Sequence, residues 1–258
     1  MKIGIATNCF YPRRTTEEAF IAVGSLGAQT VGIGLHTFYE YRPEFAKKYA
    51  PSLGGLGVGA VTAEPCNYER QLFEPSRRIR GDGLYWLDQT IRSCQTFGAG
   101  YYVLRGIGGG ESQFNVDETV EYIERIYGIC AQYGVKLCIG NAFDGVFYKP
   151  GIFGEIRKKL TYLSAAFDLA QARRSGYLYP MYLKDASGSI ACAYLSDLND
   201  NGKQCLPGEG KTDFSEVFKR LMGEGFDGDV FVSSEGYQSE EAIGRSLQFL
   251  RETADKLK

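Results

Sequence analysis

The stretch NVDETVEYIERIYGICAQYGVKLCIG, residues 115–140, holds one complete structural unit. Val120, Ile123, Tyr127 and Cys130 step by three and four, which puts them on one stripe of a helix. Asn115 precedes Glu118 at capping-box spacing, and Gly134 closes the helical pattern. Directly after it comes Val135-Lys136-Leu137-Cys138-Ile139, a short apolar run of the kind that forms parallel strands covered on both faces. A helix that stops on glycine and runs straight into a buried strand is one step of a β/α alternation.

The step recurs along the chain. Strands are predicted over 2–6, 30–35, 57–62, 100–105, 135–140, 163–167, 180–184 and 229–233. Their spacing, mostly about 25–45 residues, suits βαβ units rather than hairpins. Helical stripes recur at 79–97 (Leu84, Leu87, Ile91, Cys94) and 240–257 (Ile243, Leu247, Leu250, Leu257). Thr15 before Glu18 and Asp213 before Glu216 start helices, and Gly27, Gly98 and Gly225 end them. Eight units in 258 residues predict an α/β fold, a single (β/α)8 TIM barrel with one domain over 1–258. The competing open, doubly wound sheet fits the count less well. The longest irregular stretch, 186–212, reads as a loop after strand seven, on the face where barrel active sites are built.

Composition narrows the function classes. A net charge of −2 gives no basic footprint for nucleic acid. No apolar run is long enough to span a membrane, and the start reads as a strand rather than a signal peptide. Seven cysteines without a C-x-x-C pair read as free thiols of a cytoplasmic protein. Composition leaves a small molecule as the expected partner, not nucleic acid or membrane, and a homo-oligomer is compatible with the chain.

Three local motifs compete with bland readings. Gly106-Ile107-Gly108-Gly109-Gly110 has backbone amides that could cradle phosphate, but it breaks the G-x-G-x-x-G spacing and reads better as a loop. Gly208-Glu209-Gly210-Lys211-Thr212 resembles the end of a P-loop, yet Cys205 stands where the first glycine belongs. His36 is the sole histidine, which excludes a histidine-built zinc site, and its pairing with Cys66 as a nucleophile has no support beyond strand-end placement. Trp86, the sole tryptophan, reads as helix packing.

The useful pattern is the polar residue that closes each strand: Asn8, His36, Glu64, Arg105, Asn141, Asp168, Lys184 with Asp185, and Glu235. In a barrel these ends converge on one pocket. Carboxylates beside Arg and Lys could bind an anionic polyol and move protons. The bland alternative is a set of helix caps and strand-end ion pairs, and Asp168 in particular is placed to cap the helix after it.

The chain resembles the xylose-isomerase-like sugar phosphate isomerase/epimerase family, which shares its fold with type IV AP endonucleases. The resemblance rests on Met1–Thr7, on Thr37–Phe45, and above all on the C-terminal third. There Leu183-Lys184-Asp185, Leu206–Phe214 and Gly225–Asp229 are similar to the family's H-l-k-D, P-G-x-G-x-x-D-f and G-y-d-G pattern. The resemblance implies a divalent metal held by Glu, Asp, His and Glu at the ends of strands five to eight, with carboxylates moving a proton through an enediolate. Carried onto this chain, only Asp168 matches, with Gln171 three residues on. Gly140, Tyr182 and Ser233 stand in the other ligand positions, unless Glu235 takes the last through an insertion, in a Glu235-Gly236-Tyr237 segment similar to that of relatives. Gly32, Glu64 and Arg105 replace further family residues. Asp168 and Glu235, with Glu64, would at most offer an oxygen site for Mg2+ or Mn2+.

The expected function is therefore a sugar or sugar-phosphate isomerase or epimerase with a departed metal site. Glu64 or Glu235 would be the base, and Asp168 would orient the substrate or accept a proton. Asn8, His36, Arg105, Asn141, Tyr182 and Lys184 would bind substrate. The alternative is a non-catalytic homologue that binds a sugar-like ligand or partners an active subunit. A DNA-repair role expects a histidine-rich cluster and a basic face, which this chain lacks.

Overall fold

The computed structural model describes residues 1–64, 68–106 and 115–257. Cys66 and the glycine-rich run from Ile107 to Gly110 lie outside the described residues.

Ten strands and nine α-helices occur among the described residues, in the chain order β1 (Ile3–Ala6), α1 (Thr16–Ser25), β2 (Thr30–Leu35), α2 (Pro43–Tyr49), β3 (Gly57–Ala63), α3 (Arg77–Phe97), β4 (Tyr101–Leu104), α4 (Val116–Gln132), β5 (Lys136–Gly140), α5 (Ile152–Lys159), β6 (Ser164–Asp168), α6 (Leu169–Arg174), α7 (Tyr179–Asp185), β7 (Ile190–Leu195), β8 (Asp197–Leu198), β9 (Gln204–Cys205), α8 (Phe214–Gly223), β10 (Asp229–Val232) and α9 (Glu240–Asp255). Eight of the strands close into a parallel barrel in the order β1-β10-β7-β6-β5-β4-β3-β2, while β8 and β9 form a small antiparallel pair outside it. The predicted (β/α)8 barrel is the observed fold.

The local signals act as the sequence suggests. Thr15 and Glu18 make a reciprocal capping box on α1, Asn115 accepts the Asp117 and Glu118 amides at α4, and Asp213 accepts the Glu216 amide at α8. Gly98 closes α3 at φ 69°, a left-handed conformation that glycine adopts without a Cβ clash. Helix stripes and outward strand faces share one apolar shell around the barrel. A second, inner cluster fills the barrel's axis: Ala6, Ala60, Val103, Cys138, Ala166, Cys192, Tyr194 and Phe231. Small residues surround two large rings, so the interior is packed rather than hollow. Gly32 belongs to this arrangement, since a Cβ there would lie 3.2 Å from the Phe231 ring.

The seventh strand needs correction. Residues 180–184, expected as that strand, lie in α7, with Pro180 in its first turn, where a missing N–H costs nothing. The barrel strand is Ile190–Leu195, inside the stretch expected as a loop. The family-like run therefore falls on Tyr194-Leu195-Ser196-Asp197, not on Tyr182–Asp185. Asp197 is fully buried and has a structural task. It accepts the Gly208, Gly210 and Thr212 amides at 3.2, 3.0 and 3.0 Å, and the Thr212 hydroxyl as well. This pins the Pro207–Thr212 loop beside strand seven and disposes of the P-loop alternative. Asp197→Ala would strand several donors and is expected to cost about 3 kcal/mol or more, read as a lowered urea midpoint with an unchanged slope.

Candidate functional site

The strand ends converge on one pocket at the C-terminal mouth of the barrel. Its wall is Asn8, Thr62, Glu64, Val103, Arg105, Gly140, Asn141, Ala166, Asp168, Tyr194 and Ser233, and it holds about 360 Å³ counted to its open mouth.

Two glycines make the charged part of this wall possible. At Gly34 a Cβ would fall 2.0 Å from Asn8 Oδ1 and 3.2 Å from Glu64 Cγ. At Gly140 it would fall 3.0 Å from Val103 Cγ1 and 3.3 Å from Arg105 Cγ. Into that room the side chains build a line. Asn8 Nδ2 donates to Glu64 Oε1 at 3.3 Å, and the Arg105 guanidinium forms an ion pair with the same oxygen. Arg105 also donates to the Ala63 carbonyl at 3.4 Å. Burial alone would raise the Glu64 carboxyl, but the adjacent Arg105 charge, with hydrogen bonds from Arg105 and Asn8, overrides it and holds Glu64 below its ordinary range.

Asp168 stands on β6, three strands around the barrel from Glu64, which directly follows β3. Its Oδ1 accepts the Gln171 amide at 3.0 Å, which caps α6 as the sequence suggested. Asn141 fixes its backbone from both sides: Oδ1 accepts the Asp168 amide at 2.7 Å, and Nδ2 donates to the Asp168 carbonyl at 2.9 Å. Burial pushes the Asp168 carboxyl up to about 6, against the lowering pull of the Gln171 amide and of Arg105. One pocket thus holds a carboxyl biased toward ionisation and another biased toward protonation.

The remaining expected residues scatter. His36 lies at the rim, stacked on Tyr11 with ring centroids 3.9 Å apart, and burial lowers its imidazole toward the neutral form. Tyr182 and Lys184 leave with α7. Tyr182 is buried, donating toward the Tyr148 carbonyl at 2.6 Å, and Lys184 is exposed at the surface. Asp185 caps α5 by accepting the Gly151 amide at 2.8 Å and those of Phe153 and Gly154. Glu235 points outward, with 62% of its side chain exposed and its carboxylate ion-paired to Arg174 at 2.6 Å. Ser233, directly after β10, lines the pocket in its stead, so no insertion brings Glu235 inward.

Two residues at or behind this pocket escape sequence reasoning. Tyr194 enters the pocket wall from strand seven, buried, with no hydrogen-bond partner for its hydroxyl among the described residues. Glu69 is completely buried behind the site. It accepts the Arg105 and Gly106 amides at 3.0 and 2.9 Å and the Tyr102 hydroxyl at 2.5 Å, while Tyr68 lies 2.7 Å from that hydroxyl. Burial raises its carboxyl despite these donors. Glu69 thereby fixes the backbone that carries Arg105.

The sequence profile of the xylose isomerase-like TIM barrels matches residues 20–253. The chain belongs to the xylose isomerase-like TIM barrel family. No curated protein is significantly similar to it in sequence. Among solved structures, a D-tagatose 3-epimerase-like protein superposes with a TM-score of 0.79 at 18% identity, covering 100% of this chain and 98% of the other. D-psicose 3-epimerase from Clostridium cellulolyticum H10, crystallised with D-tagatose, gives 0.75 at 15%, covering 99% of each chain. The IOLI protein with a bound zinc atom gives 0.76 at 16%, covering 100% and 98%. At these identities the likeness is one of fold.

The family's divalent ion does not fit this donor set. Of its four ligand positions, Gly140 has no side chain, Tyr194 and Ser233 offer neutral hydroxyls, and only Asp168 is a carboxylate. No cluster of three or more His, Cys, Asp or Glu able to hold a metal occurs among the described residues. The Arg105 side-chain stem already lies against the Gly140 position.

Proposed function

We propose that the chain is a sugar isomerase- or epimerase-type protein whose pocket binds a polyhydroxy carbonyl compound and whose Asp168 moves a proton at the carbon beside the carbonyl. The observation that carries this reading is the single pocket with two carboxyls pushed apart, Glu64 down and Asp168 up, on separate strands. A group that titrates near 6 is ionised enough at neutral pH to accept a proton and basic enough to be effective. The C–H bond breaks, its proton goes to the Asp168 carboxylate, and its electron pair becomes the enediolate double bond, with the negative charge on the former carbonyl oxygen. Return of a proton to the same carbon from the opposite face completes epimerisation; return to the neighbouring carbon, with the hydroxyl proton passing to the former carbonyl oxygen, completes isomerisation. Asn141 aims Asp168, and Glu64 with Asn8 aims Arg105.

One observation favours a second reading, a binding protein without chemistry: Glu64 is engaged by Arg105 and Asn8, and Asp168 caps a helix. Incubation in D2O with D-fructose, D-tagatose and related aldoses, followed by NMR, separates the two. The proposal expects loss of the C–H signal beside the carbonyl, with a rate that rises as pH climbs through about 6, where Asp168 ionises. Saturable binding with no exchange supports the binding protein, and neither binding nor exchange ends both readings.

A further inference from the structure

An enediolate needs positive charge or strong donors at its oxygen, and the family supplies these with a divalent ion. Here three ligand positions lack the donors for one, and the space has an occupant. The Arg105 side chain runs across Gly140 so closely that a Cβ there would press on its Cγ at 3.3 Å, so a strand-five carboxylate would require this arginine to shift. Opposite, strand seven places Tyr194, whose buried hydroxyl has no partner among the described residues. A buried, unsatisfied hydroxyl in a pocket wall costs stability unless a ligand meets it. The charge of Arg105 acts on Glu64, Asp168 and Tyr194 alike, so the guanidinium sits at the electrostatic centre of the pocket.

We propose that Arg105 and the Tyr194 hydroxyl together form the oxyanion site of this pocket, in place of a metal ion, and that the ligand is an unphosphorylated polyhydroxy aldehyde or ketone. The inference rests on the proposed proton transfer and assigns the groups that receive its charge. With Asp168 ionised the pocket wall carries two negative charges and one positive. As the proton moves, the charge of Asp168 passes to the enediolate oxygen, where Arg105 and Tyr194 hold it, and the total is unchanged. A phosphate would add charge that nothing balances. Arg105 is the only cationic residue in the pocket wall among the described residues, Arg174 is tied to Glu235, and Arg173 donates to Thr212 at 2.6 Å.

The test uses an aldonate, whose carboxylate imitates the enediolate oxygens, and the alditol of equal length, which has none. Calorimetric titration in EDTA near pH 6 should give D-gluconate an affinity at least about ten-fold above D-glucitol, the direction expected for an analogue of the charged intermediate. Tyr194→Phe should erase most of that preference while leaving the unfolding midpoint unchanged or higher, because it removes an unpartnered hydroxyl. Arg105→Lys keeps the charge but loses the planar fork, and should erase it too. Added Mn2+ should change nothing. Equal affinity for the two ligands, or gluconate binding that appears only with Mn2+, overturns the oxyanion site while leaving the sugar-pocket reading standing. Tighter binding of 6-phosphogluconate than of gluconate overturns the unphosphorylated class. Failure of both gluconate and glucitol to bind ends the sugar-pocket reading and this inference with it.

Discussion

Asp168→Asn is expected to slow C–H exchange by at least about 10²-fold while making the protein more stable at neutral pH. The two effects share one cause. Burial lifts the Asp168 carboxyl from its ordinary 3.8 to about 6, so the folded state holds the proton more tightly than the unfolded chain does. The sign follows. Below about pH 4 the group is protonated in both states and costs nothing. As pH rises through 4 to 6 the unfolded chain ionises first, and folding loses on the order of 3 kcal/mol that stays lost above that window. Asparagine has no charge to desolvate and is as good an N-cap as aspartate, so α6 keeps its cap. Urea denaturation at pH 4 and pH 8 checks this: the variant should match the native protein at pH 4 and exceed it at pH 8. An unchanged exchange rate would remove Asp168 as the proton acceptor. A variant less stable at pH 8 would mean the capping carboxylate contributes more than its burial costs.

Strand five and its helix were legible because every signal lay within residues 115–140: cap, stripe, glycine and apolar run all point the same way. Strand seven was not, for a reason visible in retrospect. Tyr182-Leu183-Lys184-Asp185 imitates the family's run, yet it leaves only residues 168–179 for a helix and both its loops, little more than the shortest parallel crossover. Tyr194-Leu195-Ser196-Asp197 has the same shape at a workable distance, and the strand that leads into it reads weakly because Ala191, Cys192 and Ala193 are small, with Cys192 facing a crowded barrel axis. Strand-end polarity gathered Asn8, Glu64, Arg105, Asn141 and Asp168, which line one pocket because barrel geometry forces those ends together. It could not separate them from Glu235, because which of two nearby residues turns inward depends on where β10 stops. Glu69 gave no signal at all: its partners, Tyr102 and the Arg105 amide, are more than thirty residues away in the chain.

Arg105→Met is expected to destabilise the fold by about 3–5 kcal/mol at neutral pH, and adding Glu64→Gln should recover most of it. The pair is largely shielded, with 17% of the Arg105 side chain and 16% of the Glu64 side chain exposed, so removing one partner leaves a charge that water reaches poorly. In the native protein Glu64 lies below its ordinary 4.5, so its share of stability is full above that value and is lost as pH falls through the lowered one. Without Arg105, burial acts on Glu64 against only the weaker pull of the Asn8 hydrogen bond and His36, which reverses the direction: the variant weakens as pH rises through the carboxylate range. The stability gap between native protein and Arg105→Met should therefore widen from pH 4 to pH 7 in urea titrations, and adding Glu64→Gln should remove the part of that widening that comes from Glu64, leaving the fall due to Asp168. A single variant as stable as the native protein at pH 7 would show that the pair lies in water and orients nothing. The double variant also separates architecture from chemistry: folded, neutral at both positions and without a guanidinium, it should retain the barrel and lose the preference for gluconate over glucitol.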